Sequence, residues 1–250
     1  MPDSRRISFH FHGHAQALGG FFNHPLWSVV PAQASASLPT VGGHAVAHAD
    51  NFHFQDFIHF ERAHTHISGK EHRNGKFITH ASTVIHGLNI LDRIRCHRIV
   101  SRLTSVHAPD DPEGHITADD SRFEGLEIDG QPVAVKLRHK VLVDNTSHDA
   151  LLKSLESDKK SGRISVRKDR KVAICSLVDQ IDTKLPGVDS KHHVITIKNF
   201  GKIFLAEIYT EPGTKTLTMI RLQLGSPHVG DLTIGESVTN GQSGGPPIGP

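Results

Sequence analysis

The chain has 250 residues, in which 28 Lys and Arg nearly balance 26 Asp and Glu, and it carries 21 histidines. This length supports one full hydrophobic core, and the composition excludes a coiled coil, a collagen-like fibre and a disulfide framework. The balanced charge gives no basic surface for nucleic acid, so no nucleic-acid partner is expected.

The amino-terminal segment lacks the pattern of a secretory signal peptide. Arg5 and Arg6 form a basic pair, but Phe and His alternate after them, where a signal peptide has a continuous apolar stretch. No apolar run approaches the length of roughly eighteen residues that a membrane helix needs, so no membrane span is expected. The cytoplasm is the expected location, and export by a route without a signal peptide stays open.

Apolar and polar residues alternate with a period of two along much of the chain. Successive side chains of a strand point to opposite faces, so this alternation predicts half-buried strands. In chain order the pattern occurs at Ile7/Phe9/Phe11, Phe52/Phe54, Ile58/Phe60 and Thr79/Ala81/Thr83/Ile85.

The second half of the chain contains one predicted helix and two predicted hairpins. Ser147 is a suitable N-cap for a helix over His148–Ser157. Pro followed by Gly, at Pro212-Gly213, supplies the backbone angles of a tight reversal. The two hairpins are Ile164–Val166 with Val172–Val178 through Lys168-Asp169, and Lys202–Thr210 with Lys215–Leu224.

These elements predict an all-β fold, an antiparallel β-sandwich or barrel with one short helix. A β-solenoid is the alternative, because Gly-Leu-x-Ile occurs twice, at Gly87–Ile90 and Gly125–Ile128. Tight hairpins are antiparallel devices and favour the first interpretation. We expect one domain over residues 1–238, with a histidine-rich half (1–115) and a hairpin-rich half (116–238), followed by a flexible Gly/Pro tail at 239–250.

The two cysteines, Cys96 and Cys175, lie far apart in the chain and lack the spacing of a structural zinc site. Two buried free thiols are the favoured interpretation. A single disulfide is the alternative, which export of the chain would favour.

Structural Gly and Leu patterns occur at Gly20, Ala32-Gln33-Ala34-Ser35, Leu38-Pro39, Gly42-Gly43, Gly87–Ile90 and Phe200–Glu207. With these patterns the chain resembles uncharacterised bacterial β-rich proteins of the choice-of-anchor P type. The resemblance covers most of the chain and implies a β-rich fold. It implies no activity, because its motifs contain no catalytic signature.

Histidine is concentrated in the first half of the chain, where residues 1–115 contain 16 of the 21. The strand period places His10, His12 and His14 on one face, with Phe9 and Phe11 on the other. Neutral imidazoles bind zinc, copper or nickel, so these three residues are candidate metal ligands. Three histidines on one flat strand need help from a neighbouring strand, and His64 and His66 are the expected helpers.

His64, His66 and Glu71 also form a His-x-His-x4-Glu pattern. This pattern is similar to the first metal motif of the cupin barrels, and His139 is the nearest candidate for the later ligand that the resemblance implies. The flanking glycines of the cupin motif are absent, since Ile58 and Ile78 occupy their positions.

The leading hypothesis is a non-enzymatic, histidine-rich β protein that binds a transition metal, self-assembles in a pH-dependent way, or does both. Zinc, copper or nickel is the expected metal, a homo-oligomer is the expected assembly, and no nucleotide cofactor or catalytic residue is predicted. The alternative is a cupin-like metal-dependent oxygenase or isomerase that uses His64, His66, Glu71 and His139.

Overall fold

The computed structural model describes residues 9–25, 27–108, 111, 113–145, 147–157, 162–167, 170–185, 189–191 and 193–243. The strands of the first half are β1 (Phe9–His24), β2 (Ser28–Gln33), β3 (Ala36–Ser37), β4 (Gly43–Phe54), β5 (Ile58–Glu71), β6 (Phe77–Ile90), β7 (Ile94–His107), β8 (His115–Thr117), β9 (Arg122–Ile128) and β10 (Gln131–Leu137). The helices α1 (Lys140–Asp144) and α2 (His148–Ser157) follow. The remaining strands are β11 (Gly162–Arg167), β12 (Arg170–Ser176), β13 (Val178–Thr183), β14 (Asp189–Lys191), β15 (Val194–Ile197), β16 (Gly201–Glu211), β17 (Thr214–Leu224) and β18 (Val229–Ser243).

The strands form two antiparallel sheets. Sheet I has the order β11-β12-β16-β17-β18-β1-β2, with β15 beside β16, β14 beside β15, and β3 beside β1. Sheet II has the order β13-β10-β9-β7-β6-β5-β4, with β8 beside β7. Strand β1 packs against β5 and β6, and β18 packs against β6 and β7, so the sheets lie face to face. The predicted antiparallel sandwich is therefore confirmed, and the solenoid alternative is wrong.

The core lies between the sheets and has a polar layer within it. Leu18 of sheet I and Ile85 and Ile99 of sheet II are fully buried in the larger apolar cluster. The hydroxyls of Ser101 and Ser237 meet across the interlayer space at 3.0 Å. This hydrogen bond satisfies two buried polar groups and fixes how the inward faces oppose each other.

Two glycines interrupt the alternation of side chains along a line across sheet II. We call this line the crease, and it determines which side chains face outward. Gly87 and Gly125, each with φ +63°, lie on either side of β7 at equivalent positions. The pairing register is unchanged across the crease, but the alternation shifts by one residue, so Glu61 and Arg62 are both exposed. The two Gly-Leu-x-Ile segments are therefore equivalent parts of one sheet.

The predicted helix and hairpins are confirmed. Helix α2 spans His148–Ser157, and the Ser147 hydroxyl accepts a hydrogen bond from the Ala150 amide at 3.1 Å, as an N-cap does. Strands β16 and β17 pair around Pro212-Gly213. Strands β11 and β12 pair around Lys168-Asp169, two residues that lie outside the described ones.

The structure also bears on the expected tail, the two cysteines and membrane-spanning helices. Strand β18 continues to Ser243, so the tail boundary expected at residue 239 falls inside a strand, and residues 244–250 lie outside the described ones. Cys96 and Cys175 are buried free thiols in opposite sheets, and burial raises the pKa of each to about 12. Within the described ranges, no helix is both long and apolar enough to cross a membrane.

Candidate functional site

The outward side of strands β4 to β7 in sheet II carries nine histidines, and we call it the histidine face. These side chains point away from the core because their neighbours along each strand are buried, as at Ala63, Thr65 and Ile67 on β5. The crease keeps this arrangement at the far end of the sheet, where Ile58 and Phe60 are buried around His59. The nine residues are His44, His48, His53, His59, His64, His66, His80, His86 and His97.

Strand pairing brings several of these imidazoles together. His48 lies directly opposite His64 in the β4–β5 register, and His53 lies directly opposite His59. The rings of His53 and His59 stack with their centroids 5.5 Å apart. His66 and His80 meet diagonally across β5 and β6, with centroids 6.2 Å apart. Imidazoles this close could share one metal ion after a change of ring orientation, since each nitrogen lies about 2 Å from a bound metal.

Burial, with positive charge nearby, disfavours protonation of the two outward histidines of β6. Burial lowers the pKa of His80, and His66 and Arg102 lower it further. Burial also lowers the pKa of His86, with Arg98 and Arg62 adding to the effect. Both imidazoles are thereby kept in the neutral form that binds metals. The His80 ring is also held in place, because its Nδ1 lies 2.9 Å from Thr104 Oγ1.

An open depression of about 640 Å³ lies in the middle of the histidine face. Three imidazoles line it, together with the opposite charges of Asp50 and Arg62, which are paired in the β4–β5 register. The lining histidines are His48, His64 and His86. The depression therefore brings three imidazoles together with one carboxylate and one guanidinium.

Strand β4 is the outer edge of the histidine face. Among the described strands it pairs only with β5, so one side of its backbone is open along its length. Its sequence has no Lys or Arg, and Asp50 is its only residue with a permanent charge. Val46, at the middle of the strand, is 59% exposed. A long edge strand without fixed positive charge is an interaction surface by default.

The other predicted histidine cluster lies on the opposite outward surface. His10, His12 and His14 project from β1 on sheet I, while Phe11 and Ala15 beside them are buried in the core. His14 Nδ1 lies 3.1 Å from Ser37 Oγ. The sandwich core separates these histidines from His64 and His66, so the expectation that the two groups help each other is wrong.

The residues of the cupin-like pattern are not assembled into one site. His64 and His66 point outward, and Glu71 is exposed at the end of β5. His139 precedes α1, where its Nδ1 lies 2.9 Å from the carbonyl oxygen of Ala118. In the described part of the chain, no three His, Cys, Asp or Glu side chains converge as a metal-binding group. The single chain thus offers pairs of ligands.

Sequence reasoning missed His48, His53 and His59 as candidate ligands, although the sequence carries a signal. The segments Phe52-His53-Phe54 and Ile58-His59-Phe60 mirror each other about Asp56, as the arms of a hairpin do. His48 and His64 are also equally far from Asp56 on its two sides. The mirrored pattern alone indicates the β4–β5 pairing register, in which these histidines lie opposite each other.

Comparison with known proteins gives one match. A family model described as a domain of unknown function, DUF8256, matches residues 9–171 and 146–211. No curated protein and no solved structure matched the chain.

Proposed function

We propose a function for the histidine face of this chain, which belongs to the DUF8256 family of domains of unknown function. The protein captures a divalent transition-metal ion reversibly and without catalysis, and the metal links two copies along β4 in a pH-dependent way. The observation that carries this proposal is the direct cross-strand pairing of His48 with His64 beside an open sheet edge.

The donor set points to the metal class. Neutral imidazole suits zinc, copper and nickel, whereas magnesium and calcium prefer oxygen ligands. Two imidazoles leave a zinc ion with open positions, since zinc takes four ligands. A cross-strand pair on one chain is therefore a weak, incomplete site that a further ligand would strengthen.

A second copy supplies that ligand when two β4 strands pair. An antiparallel strand pair has a two-fold axis, so both copies use the same surface. An axis beside Val46 places His44 of one copy opposite His48 of the second copy, and His48 already faces His64 within its own sheet. One row of side chains across the joined sheets then contains three imidazoles, those of His44 from one copy and of His48 and His64 from the second. The two-fold axis generates a second, identical row. The exposed Val46 side chains are buried against each other at the centre.

The same arrangement makes association sensitive to pH. An imidazole in water is largely uncharged at neutral pH and then available to a metal, because its ordinary pKa is about 6.5. Acidification adds protons that compete with the metal and puts like charges directly opposite each other, which destabilises a strand pair. The assembly should form at neutral pH and separate in acid.

Sedimentation of metal-free protein, with and without one equivalent of zinc, tests the proposal. We expect the mass to double with zinc at about pH 7.5 and to return to that of one chain at about pH 5.5 or with chelator. Replacing two ligands, His48→Ala with His64→Ala, should weaken zinc binding at least about tenfold, since removing even a group that only supports a metal ligand costs on that scale.

The matched control removes the same number of exposed histidines from sheet I, with His10→Ala and His12→Ala. It should retain zinc binding and dimerisation. A control variant that loses both would place the site on sheet I. Wild-type protein that binds no zinc, or binds it equally well without His48 and His64, would contradict the proposal.

A further inference from the structure

A second group of polar residues lies inside the sandwich, where its side chains are buried, unlike those of the histidine face. On the inward side of sheet I, Thr210, Lys215 and Thr239 are adjacent in the strand register of β16, β17 and β18. Lys215 is 4% exposed, and both threonines are fully buried. A buried lysine is uncommon because removing an ammonium from water is costly unless other groups compensate.

The inward side of sheet II places three more polar side chains opposite this row. Thr79 and Ser105 are paired across β6 and β7, and His107 follows Ser105 on the same face. All three are buried. Gly13 connects the two sides: it pairs with Thr239, and a Cβ built on it would lie 3.4 Å from Thr79 Cγ2.

Several polar atoms of this cluster have no hydrogen-bond partner among the residues that the structure describes. Seven buried side-chain atoms of the described residues have no hydrogen-bond partner, and five of them belong to this one cluster. The other two are guanidinium nitrogens of Arg98 and Arg102. The five atoms are Thr79 Oγ1, Ser105 Oγ, His107 Nδ1, Lys215 Nζ and Thr239 Oγ1. Buried polar groups are rarely left unpaired, so five together call for a functional reason.

The nearby carboxylates are already engaged by backbone amides. Glu113 accepts a hydrogen bond from the His148 amide at the start of α2, and its Oε2 also forms an ion pair with Lys215 Nζ, 3.7 Å away, which is beyond hydrogen-bond distance. Asp111 accepts hydrogen bonds from the amides of Glu113 and Gly114, at 3.1 and 3.0 Å. The ion-paired Lys215 ammonium and three hydroxyls therefore keep unused hydrogen-bond donors at this end of the core.

From these contacts we propose that this end of the interlayer space binds a small oxyanion, a carboxylate or a phosphate, with Lys215 as its cationic anchor. The hydroxyls of Thr79, Ser105 and Thr239 complete the donor set. Facing sheets of a sandwich lie about 10 Å apart and side chains fill most of that distance, so the proposed ligand is a small anion and not a nucleotide. Burial lowers the pKa of Lys215, while Glu113 and Asp111 oppose that effect and favour the charged form.

Backbone amide NMR with acetate and phosphate as separate probes tests the site, at constant ionic strength set with chloride. We expect saturable shifts at Gly13 and Gly114 with at least one probe, and the tighter probe identifies the ligand class. Lys215→Met should weaken that binding at least about tenfold, the scale of a charge-assisted hydrogen bond. Lys202→Met, which removes an exposed lysine from the same sheet, should leave it unchanged.

Thr239→Val keeps the shape of the side chain and removes one donor, so it tests the site even if Lys215→Met does not fold. It should weaken binding severalfold. Absence of saturable shifts with either probe in wild-type protein overturns the proposal, as does equal binding by wild type, Thr239→Val and any folded Lys215→Met.

Discussion

The two histidine clusters on opposite surfaces of the sandwich have the same strand spacing and different neighbours. His10, His12 and His14 of sheet I lie beside Gln242, Asn240 and Val238 in the β1–β18 register. His48 and His53 of sheet II lie beside His64 and His59. One flat strand presents its histidines in a single row, so the cross-strand partner decides which cluster is the better candidate for a metal site.

The clusters also differ in their position within the sheets. Strand β1 pairs with β18 on one side and with β2 and β3 on the other, so its backbone is engaged on both sides. Strand β4 pairs with β5 alone among the strands that the structure describes, and it presents His44, Val46 and His48 at this edge. Only the second arrangement can extend its rows of histidines by adding a strand from another copy.

A permanent charge at the centre of the proposed interface should have the largest effect on dimerisation through β4. Val46→Lys puts two ammonium groups opposite each other across the two-fold axis, and edge lysines oppose strand pairing in natural sheets. We expect zinc-dependent dimerisation to weaken at least about tenfold at neutral pH, the scale set by like charges placed in an interface. Zinc binding to the His48–His64 pair of one chain should persist, since that pair is not altered.

The control for this variant is Val29→Lys on β2, the edge strand of sheet I. Val29 is 73% exposed, and Trp27 near it is 88% exposed, so this edge is also apolar. The control should dimerise like wild type in sedimentation experiments. If Val29→Lys dissociates the dimer and Val46→Lys does not, the interface lies on sheet I.

The sequence alone predicts the antiparallel β fold, helix α2 and the β16–β17 hairpin, because each depends on local signals. Alternation, an N-cap at Ser147 and the Pro212-Gly213 turn act over a few residues. It also predicts correctly that His64 and His66 share a face. Which strands become neighbours depends on packing across the whole chain, as when β1 inserts between β18 and β2. Single-strand spacing therefore could not distinguish the two histidine clusters.

The interior polar cluster could not be predicted for the same reason. Lys215 and Thr239 come from the second half of the chain, whereas Thr79 and His107 come from the first. Lys215 follows the turn of a hairpin, where a lysine is ordinarily exposed. Only the opposition of the two sheets shows that its side chain is buried among hydroxyls.

The crease of sheet II gives a prediction with an intermediate effect. Gly87 has φ +63°, and an added Cβ would lie 2.4 Å from Glu61 Cγ. Gly87→Ala should lower the free energy of unfolding by about 1–3 kcal/mol, from backbone strain and the contact with Glu61. Because the crease keeps His53 and His59 on the outward side, the variant should also disturb that pair more than any histidine of sheet I.

Gly130→Ala is the matched control, because Gly130 also has positive φ, at +72°, but an added Cβ there would meet no atom within 4 Å. Gly130→Ala should lower the free energy of unfolding by about 1 kcal/mol, from backbone strain alone. Urea unfolding of both variants measures the difference. Equal losses of stability would show that the contact with Glu61 contributes nothing.

The smallest expected effect is a pH dependence of stability that belongs to the histidine face of a single chain. The pKa values of His80 and His86 are lowered in the folded state, mainly by burial and by neighbouring positive charge. The unfolded chain therefore binds more protons than the folded chain as pH falls through about 6.5 toward the folded pKa values. Stability should be highest above that range and should fall on acidification.

Urea unfolding between about pH 7 and about pH 5, in chelator and at concentrations where the chain is monomeric, measures this slope. Groups other than the two histidines also contribute: His66 and Arg102 act on His80, and Arg62, Arg98, His97 and Glu61 act on His86. His80→Gln should flatten the slope, because Gln does not titrate, while His12→Gln on the exposed surface of sheet I should leave it as in wild type. Identical slopes in all three proteins would show that the surroundings of His80 do not bias its protonation. The acid sensitivity of the proposed assembly would then have to come from metal release and charge at the β4 edge alone.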